Sequence, residues 1–228
     1  MRVVCFVNRR LGARIAKDLL TRPGLDLVAV VTNDPPHVDL DFDGRLTHVP
    51  VLCWSDYLAS FSSLPADRGV SVLFRHRLPA EILATFPVVN LHPSHLPWGR
   101  GSHPATWAIW ESTPFGGTAH LMTETIDAGP ILAQRVVPVE SVDTSTSLYN
   151  KGLDALWDIY LTDVVAWLLG GAVGLREQAA GGSRHASKDL KILADLDRES
   201  LTLEDRERLG RALDVRPTNS GVGMRGEA

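Results

Sequence analysis

The stretch RVVCFVNRRLGARIAKDLLTRPGLDLVAVV, residues 2–31, decides the fold. It opens with a continuous apolar run from Val3 to Val7, which is typical of a strand buried on both faces of a sheet. Apolar residues at helical spacing follow, and Pro23-Gly24 ends that helix before a second apolar run from Leu27 to Val31. A strand, a helix and another strand in this order predict a parallel sheet with crossover helices.

Strands and helices continue to alternate along the rest of the chain. The shorter predicted segments are a polar loop at 33–49, helices at 54–61 and 79–86, and strands at 70–74, 88–91, 118–123 and 131–139. The longest predicted helix runs over 153–168, where the apolar pattern of a helix continues unbroken until Gly170-Gly171. One or two small helices are expected over 188–213, followed by a tail over 217–228.

The composition is typical of a globular protein with a sizeable core, since 44% of the 228 residues are hydrophobic and 22% are charged. A net charge of −4 and a pI near 6.0 give no reason to expect nucleic acid as a partner. No apolar stretch approaches the ~18 residues of a membrane-spanning helix, and the N-terminus lacks a signal-peptide pattern. Cys5 and Cys53 have no metal-ligand spacing and are expected to be buried free thiols, so we expect a cytoplasmic protein.

A dense polar segment, NLHPSHLP at 90–97, directly follows a predicted buried strand. In open α/β sheets, ligands collect beyond the carboxyl ends of the strands. Asn90 and His92 are two positions apart, so both side chains leave an extended chain on the same side. They form either a pair that activates a carbonyl or a strand-end pair that only satisfies backbone groups, and the spacing favours neither.

A second polar segment, IDAGPI at 126–131, reads as a tight acidic turn. In isolation, Asp127 is better explained as a turn residue that bonds its own backbone. The region also holds four histidines, His92, His95, His103 and His120, whose spacing fits no compact metal motif, so we predict no metal site. No GxGxxG or Walker sequence is present, which argues against a dinucleotide cofactor or a phosphate loop.

Taken together, these segments resemble the formyltransferase family, which includes glycinamide ribonucleotide transformylase, methionyl-tRNA formyltransferase and the sugar N-formyltransferases. The resemblance covers about 70–139 and rests on Asn90, His92, Ser94, Leu96-Pro97, Gly99 to Gly101, Pro104, Gly117-Thr118, His120 and the turn from Asp127 to Ile131. It implies a Rossmann-like formyltransferase fold in which a mostly parallel sheet is flanked by helices. We expect a catalytic domain over 1–182 and a short helical C-terminal appendix with a tail over 183–228.

The resemblance also implies the roles of individual residues. It makes Asn90, His92 and Asp127 the catalytic trio and 10-formyltetrahydrofolate the co-substrate. The implied folate pocket would be lined by Phe74, Arg75, Leu78, Ile82, Leu83 and the turn residues Thr125, Ile126 and Gly129. Of these, Leu78, Ile82 and Leu83 are equally well explained as ordinary helix-packing positions.

The acceptor implied by the resemblance is a nucleotide-linked 4-amino or 3-amino sugar. The stretch PWGRGSHP at 97–104 and the segment after residue 185 are similar to the sugar N-formyltransferases, and the chain is too short for the extra barrel domain of the methionyl-tRNA enzymes. The residues expected to meet this acceptor or its diphosphate are Arg9, Arg10, Ser94, Trp98, Arg100, Gly101 and Lys188.

Other functions stay open, because the sequence after Leu213 departs from the family and lacks the expected aromatic-proline stretch. The acceptor could instead be another small amine, such as glycinamide ribonucleotide, a hydroxyornithine-like compound or an antibiotic precursor. Two further alternatives are a formyltetrahydrofolate hydrolase and a non-catalytic folate- or nucleotide-binding module. A homodimer is one of the assemblies that the sequence allows.

Overall fold

The computed structural model describes residues 1–33 and 48–214. The strands in these ranges are β1 (Arg2–Val7), β2 (Asp26–Thr32), β3 (Val51–Cys53), β4 (Arg68–Val72), β5 (Val88–His92), β6 (Arg100–Gly101), β7 (Phe115–Leu121), β8 (Ile131–Val137) and β9 (Arg184–His185). Seven of them form one sheet in the order β3-β2-β1-β4-β5-β7-β8, and β6 pairs with β9 in a separate small sheet. The short predicted strands at 88–91 and 131–139 are therefore present with small shifts at their ends.

The helices of the described ranges are α1 (Arg9–Thr21), α2 (Trp54–Ser60), α3 (Ala80–Leu83), α4 (Pro104–Glu111), α5 (Ser145–Ile159), α6 (Val165–Leu168), α7 (Leu190–Ala194) and α8 (Leu203–Leu213). Short 3₁₀ turns lie at Phe61–Ser63, Ser187–Asp189 and Arg198–Ser200. None of these helices is long and apolar enough to cross a membrane.

The sheet is parallel from β3 through β5 and antiparallel from β5 to β8. The carboxyl ends of β1, β4 and β5 consequently meet at one edge, beside the point where the strand order reverses around β1. The prediction of a mostly parallel α/β fold with flanking helices is confirmed.

Strand β1 is buried on both faces, which explains its unbroken apolar run. Val3, Cys5 and Val7 pack with α1, α5 and α6 on one face of the sheet. Val4 and Phe6 pack with α2 and α3 on the other. Cys5 is fully buried and free, as expected, and burial raises the pKa of its thiol far above the usual value. Cys53 was expected to be buried as well but is only partly buried, because it lies at the end of the edge strand β3.

The longest helical segment differs from its prediction in two ways. It begins at Ser145, because the Thr144 side chain caps it by accepting a hydrogen bond from the backbone N–H of Ser147 at 3.3 Å. It is also interrupted by a π-helical turn over Tyr160–Val164, so the expected unbroken periodicity was wrong. The wider turn changes the phase of the helix, and Leu161 is 39% exposed instead of buried.

Four elements were not predicted from the sequence: β3, β6, β9 and α4. The two small strands contain two residues each, which is too short for a periodic signal. Most of the predicted 33–49 loop and the whole 217–228 tail lie outside the described residues.

The C-terminal appendix shares a core with the rest of the chain. Leu193 of α7 and Leu209 of α8 form a buried cluster with Trp107 of α4. In addition, β9 pairs in parallel with β6, so the appendix is also joined to the body by main-chain hydrogen bonds. The boundary after residue 182 stays a prediction.

Because Leu209 is only 1% exposed, Leu209→Ala should lower the free energy of unfolding by about 2–5 kcal/mol in a single cooperative transition. Leu203 lies on the same helix but is 73% exposed, so Leu203→Ala should change it by less than about 0.5 kcal/mol. Urea unfolding followed by circular dichroism and tryptophan fluorescence measures both. Two separate transitions would show instead that the appendix unfolds on its own.

Candidate active site

A cavity of about 1310 Å³ opens at the carboxyl ends of β1, β4 and β5. Its wall also includes residues of β7, α4 and α5 and of the loop between β7 and β8. Asn90, His92 and Asp127 all line it. The fold therefore puts the three residues singled out from the sequence on the surface of one cavity.

The Asn90 amide and the His92 imidazole both lie within hydrogen-bonding or ion-pairing range of the Asp127 carboxylate. Asn90 Nδ2 is 3.4 Å from Asp127 Oδ1, and His92 Nε2 is 3.7 Å from Asp127 Oδ2. The His92 and Asp127 side chains are only 9% and 10% exposed. An amide, an imidazole and a carboxylate thus converge although more than 30 residues separate Asp127 from the other two.

The simplest interpretation of the sequence was that the Asp127 side chain bonds the backbone of its own turn. The structure shows a different partner for the carboxylate. Its Oδ2 accepts a hydrogen bond of 2.8 Å from the backbone N–H of Gly101 on β6. Asp127 itself has a φ of 52°, which is uncommon for a residue with a side chain. Gly129 completes the tight turn, since a Cβ there would collide with the carbonyl oxygen of Leu121.

The hydrogen bond of His92 identifies its protonated nitrogen. His92 Nε2 lies 2.9 Å from the carbonyl oxygen of Gly99. A carbonyl can only accept, so Nε2 carries the proton and donates it to Gly99. Nδ1 is then the ring nitrogen that can exchange a proton with a bound molecule.

His120, one of the residues that carry the family resemblance, is a fourth member of the cluster. Strands β5 and β7 pair antiparallel with Asn90 opposite His120, and His120 Nε2 lies 3.3 Å from Asn90 Nδ2 and 3.5 Å from Asp127 Oδ1. Its Nδ1 is 2.9 Å from the carbonyl oxygen of Leu121, so Nδ1 is the donor. Its Nε2 accepts from the Asn90 amide when the ring is neutral and donates to the Asp127 carboxylate when the ring is protonated.

Asp127 remains ionised despite its burial. Burial by itself raises the pKa of a carboxyl group, but the nearby His92 and His120 and the Gly101 N–H stabilise the negative form. Together these contacts hold the pKa of Asp127 well below its usual range. The site therefore contains a fixed negative charge beside two imidazoles.

The residues expected to bind folate separate into two groups. Phe74, Arg75, Leu78 and Ile126 line the cavity. Ile82 and Leu83 belong to the hydrophobic cluster behind it, while Thr125 and Gly129 form the turn and are not part of the lining.

The residues expected to bind the acceptor separate in the same way. Arg9, Arg10 and Gly101 line the cavity, whereas Ser94, Trp98, Arg100 and Lys188 do not. Ser94 is 1% exposed beneath the site. The Arg100 side chain instead donates to the Gln178 side-chain oxygen at 2.7 and 3.1 Å.

Asn8 lines the cavity and was missed by the sequence analysis. It is the N-cap of α1, its Oδ1 accepts from the Arg9 N–H at 3.0 Å, and the residue is 1% exposed. Its Nδ2 has no hydrogen-bond partner within the described ranges, although buried amide groups are normally paired. The available signal was an Asn directly after an apolar strand and before a helix.

Possible metal ligands are not grouped in the described part of the chain, where no set of three or more His, Cys, Asp or Glu side chains could hold an ion.

The charge state of Asp127 can be tested directly. Its carboxyl ¹³C resonance should keep the chemical shift of the ionised form from pH 7 down to pH ~4, while in the urea-unfolded chain it should titrate near pH ~3.9. Because the folded pKa is the lower one, this group stabilises the fold above pH ~4, and the contribution is lost as the pH falls further. A resonance that moved between pH 7 and 5 would contradict this assignment.

Comparison with solved structures supports the fold. A 4-N formyltransferase from Francisella tularensis superposes with a TM-score of 0.81 at 20% identity, covering 92% of this chain and 87% of that one. An N-formyltransferase from Helicobacter canadensis, solved with folinic acid and dTDP-3-aminofucose, superposes with a TM-score of 0.74 at 17% identity, covering 92% and 79%. At these identities the likeness extends to the fold alone.

Sequence comparison identifies the family. A dTDP-4-amino-4,6-dideoxyglucose formyltransferase of Mycobacterium tuberculosis (strain ATCC 25618 / H37Rv) is 31% identical over 131 residues, which cover 58% of this chain and 56% of that protein. The chain thus spans little more than half the length of this curated relative. Residues 48–164, just over half of the chain, match the family model described as formyl transferase. The chain therefore belongs to the formyl transferase family.

Proposed function

We propose that this protein transfers a formyl group from 10-formyltetrahydrofolate to the primary amine of a nucleotide-linked amino sugar. The observation that carries the proposal is the convergence of Asn90, His92 and the ionised Asp127 at one cavity. These are the three kinds of group that acyl transfer between nitrogen atoms needs: a donor for the oxyanion, a proton carrier and a charge that supports it.

Each residue has a separate task in the proposed reaction. The acceptor amine attacks the formyl carbon, and the Asn90 amide donates to the oxygen on which negative charge develops. Its contacts with Asp127 and His120, at 3.4 and 3.3 Å, are long enough for a stronger acceptor to replace them.

The proton that the amine loses must reach the folate nitrogen as the bond between that nitrogen and the formyl carbon breaks. His92 can carry it on Nδ1, because its Nε2–H is already held by Gly99. Asp127 Oδ2, 3.7 Å from the ring, stabilises the imidazolium that forms.

The cavity is large enough for two substrates. Its volume of about 1310 Å³ exceeds the ~300–1,000 Å³ typical of a site for a single small molecule. Phe74, Leu78, Met122 and Ile126 give the wall near the ends of β4 and β7 an apolar surface that suits the aromatic ring of a folate. The Phe74 ring is itself supported by Trp54, with ring centroids 5.5 Å apart.

The opposite part of the cavity suits an anionic acceptor. There Arg9, Arg10 and Leu11, which form the first turn of α1, line the cavity. Helix N-termini and guanidinium groups bind phosphate well, so these residues are the ones we assign to a diphosphate. The dTDP-linked sugar named for the mycobacterial relative has this chemistry.

The competing functions differ in what they need from the same site. A hydrolase would use water in place of the amine, and a binding module would need no proton carrier beside an ionised carboxylate. Another small amine, such as glycinamide ribonucleotide, would use the same trio. Release of tetrahydrofolate from 10-formyltetrahydrofolate, measured with no amine and with a panel of amines that includes amino-sugar nucleotides, separates these cases.

Removing the trio one residue at a time should identify the machinery. His92→Ala and Asp127→Ala should each lower turnover at least ~100-fold, because proton transfer or its electrostatic support is lost. Asn90→Ala should lower kcat by about 10²–10³, the usual effect of losing one oxyanion donor. Steady-state kinetics with circular dichroism as a check on folding measures all three.

The matched control is His48→Ala, since His48 is exposed and is not part of the cavity lining. It should leave turnover unchanged. Near-normal activity of a correctly folded His92→Ala or Asp127→Ala protein would remove that residue from the mechanism. Cytoplasmic location and a homodimer stay predictions, to be tested by cell fractionation and by sedimentation analysis.

A further inference from the structure

Gln178 joins the Asp127 turn to strand β6. Its Nε2 donates to the backbone carbonyls of Asp127 and Gly129 at 2.8 and 2.9 Å. Its Oε1 accepts from the Nε and Nη2 of Arg100 at 3.1 and 2.7 Å. One half-buried side chain therefore uses both ends of its amide, one toward the turn and one toward the strand.

The oxygen and the NH₂ group of the Gln178 amide cannot exchange places. A guanidinium has only donors and a backbone carbonyl only acceptors, so the oxygen must face Arg100 and the NH₂ must face the turn. A rotated amide would set donor against donor and acceptor against acceptor. The contacts thus hold Gln178 in one rotameric state and, through it, the main chain of the turn.

The turn needs such support. Asp127 has a φ of 52°, a left-handed conformation that is unfavourable for a residue with a side chain and persists when its surroundings hold it. The carboxylate has one short contact, the 2.8 Å bond from Gly101 N–H, while its distances to Asn90 and His92 are 3.4 and 3.7 Å. A small movement of the turn would therefore break the convergence of the trio.

Arg100 and Gly101 are consecutive residues and act on the turn at two points. The Arg100 side chain holds Gln178, which holds the Asp127 main chain, and the Gly101 N–H holds the Asp127 carboxylate. The backbone near Gln178 is fixed in turn, because Arg176 and Ile131 exchange hydrogen bonds of 2.7 and 2.9 Å. Strand β6 thus holds Asp127 in two ways: it holds the main chain through Arg100 and Gln178, and it holds the side chain directly through Gly101.

We propose that Gln178 is a positioning residue of this site, which keeps Asp127 in register with His92 and Asn90 by holding the main chain of the turn. The inference rests on the proposed function for its kinetic consequence only. Arg100, expected from the sequence to bind the acceptor, belongs in this arrangement to the support of Asp127.

Two substitutions distinguish the contact of Gln178 with Arg100 from its contacts with the turn carbonyls. Gln178→Glu keeps an acceptor for Arg100 but removes the donors to the two carbonyls, and Gln178→Leu removes both. We expect each to lower kcat by about 10- to 100-fold, with KM for the folate donor and the amine changed by less than about 3-fold. The control is Glu177→Ala, which alters the adjacent exposed side chain and should behave as wild type.

Gln178→Glu is the decisive variant. If Gln178 only tied Arg100 into the fold, this variant would keep a kcat within about 2-fold of wild type, and that result would overturn the proposal. A loss of activity that disappears after correction for the folded fraction, measured by thermal unfolding, would overturn it as well.

Amide hydrogen exchange tests the same inference without any substrate. In the peptide covering 123–130, exchange should be faster in both Gln178 variants than in the wild type and in Glu177→Ala. Unchanged exchange in both variants would overturn the proposal. If the wild-type protein transfers no formyl group to any amine tested, the proposed function fails, and the exchange measurement still decides whether Gln178 holds the turn.

Discussion

The buried carboxylate of Asp127 is the constraint on which the site depends. A charge this far from solvent is stable only where donors and cations surround it, and here they come from three different strands. Asn90 and His92 come from β5, His120 from β7 and the Gly101 N–H from β6. The burial that makes the charge costly also shields its interactions from water and so strengthens them.

The sheet supplies the geometry that this cluster requires. Asn90 and His92 alternate on β5, so their side chains leave the strand on the same side, and antiparallel pairing sets His120 opposite Asn90. Parallel strands then bring the ends of β1 and β4 to the same edge, where Asn8 and Phe74 complete the wall of the cavity. Asn90, His92 and His120 thus lie on strands of the sheet. Asp127 lies on a less regular turn, which hydrogen bonds from Gln178 and Gly101 hold in place.

Local patterns were sufficient to predict the frame of the molecule. The burial of β1 on both faces and the apolar face of α1 can each be predicted from a few neighbouring residues. The family resemblance identified Asn90, His92 and Asp127 as candidates. The rest depends on contacts between distant segments. The pairing of β5 with β7 gives His120 its role, and Gln178 lies in a segment without periodicity whose partner is more than 40 residues away. The π turn at Tyr160 could not be predicted from an apolar spacing that an ordinary helix would also satisfy.

Strand β9 brings the appendix next to the Asp127 cluster, because it pairs with β6, whose Gly101 N–H donates to the Asp127 carboxylate. The carbonyl oxygen of His185 sits so close to Gly101, whose φ is +87°, that no other residue could occupy that position. A protein shortened to its first 182 residues would retain every ionisable group of the cluster, yet it would lose the strand against which Gly101 is pressed. Grafting this site onto another scaffold would accordingly require the appendix to be transplanted with it.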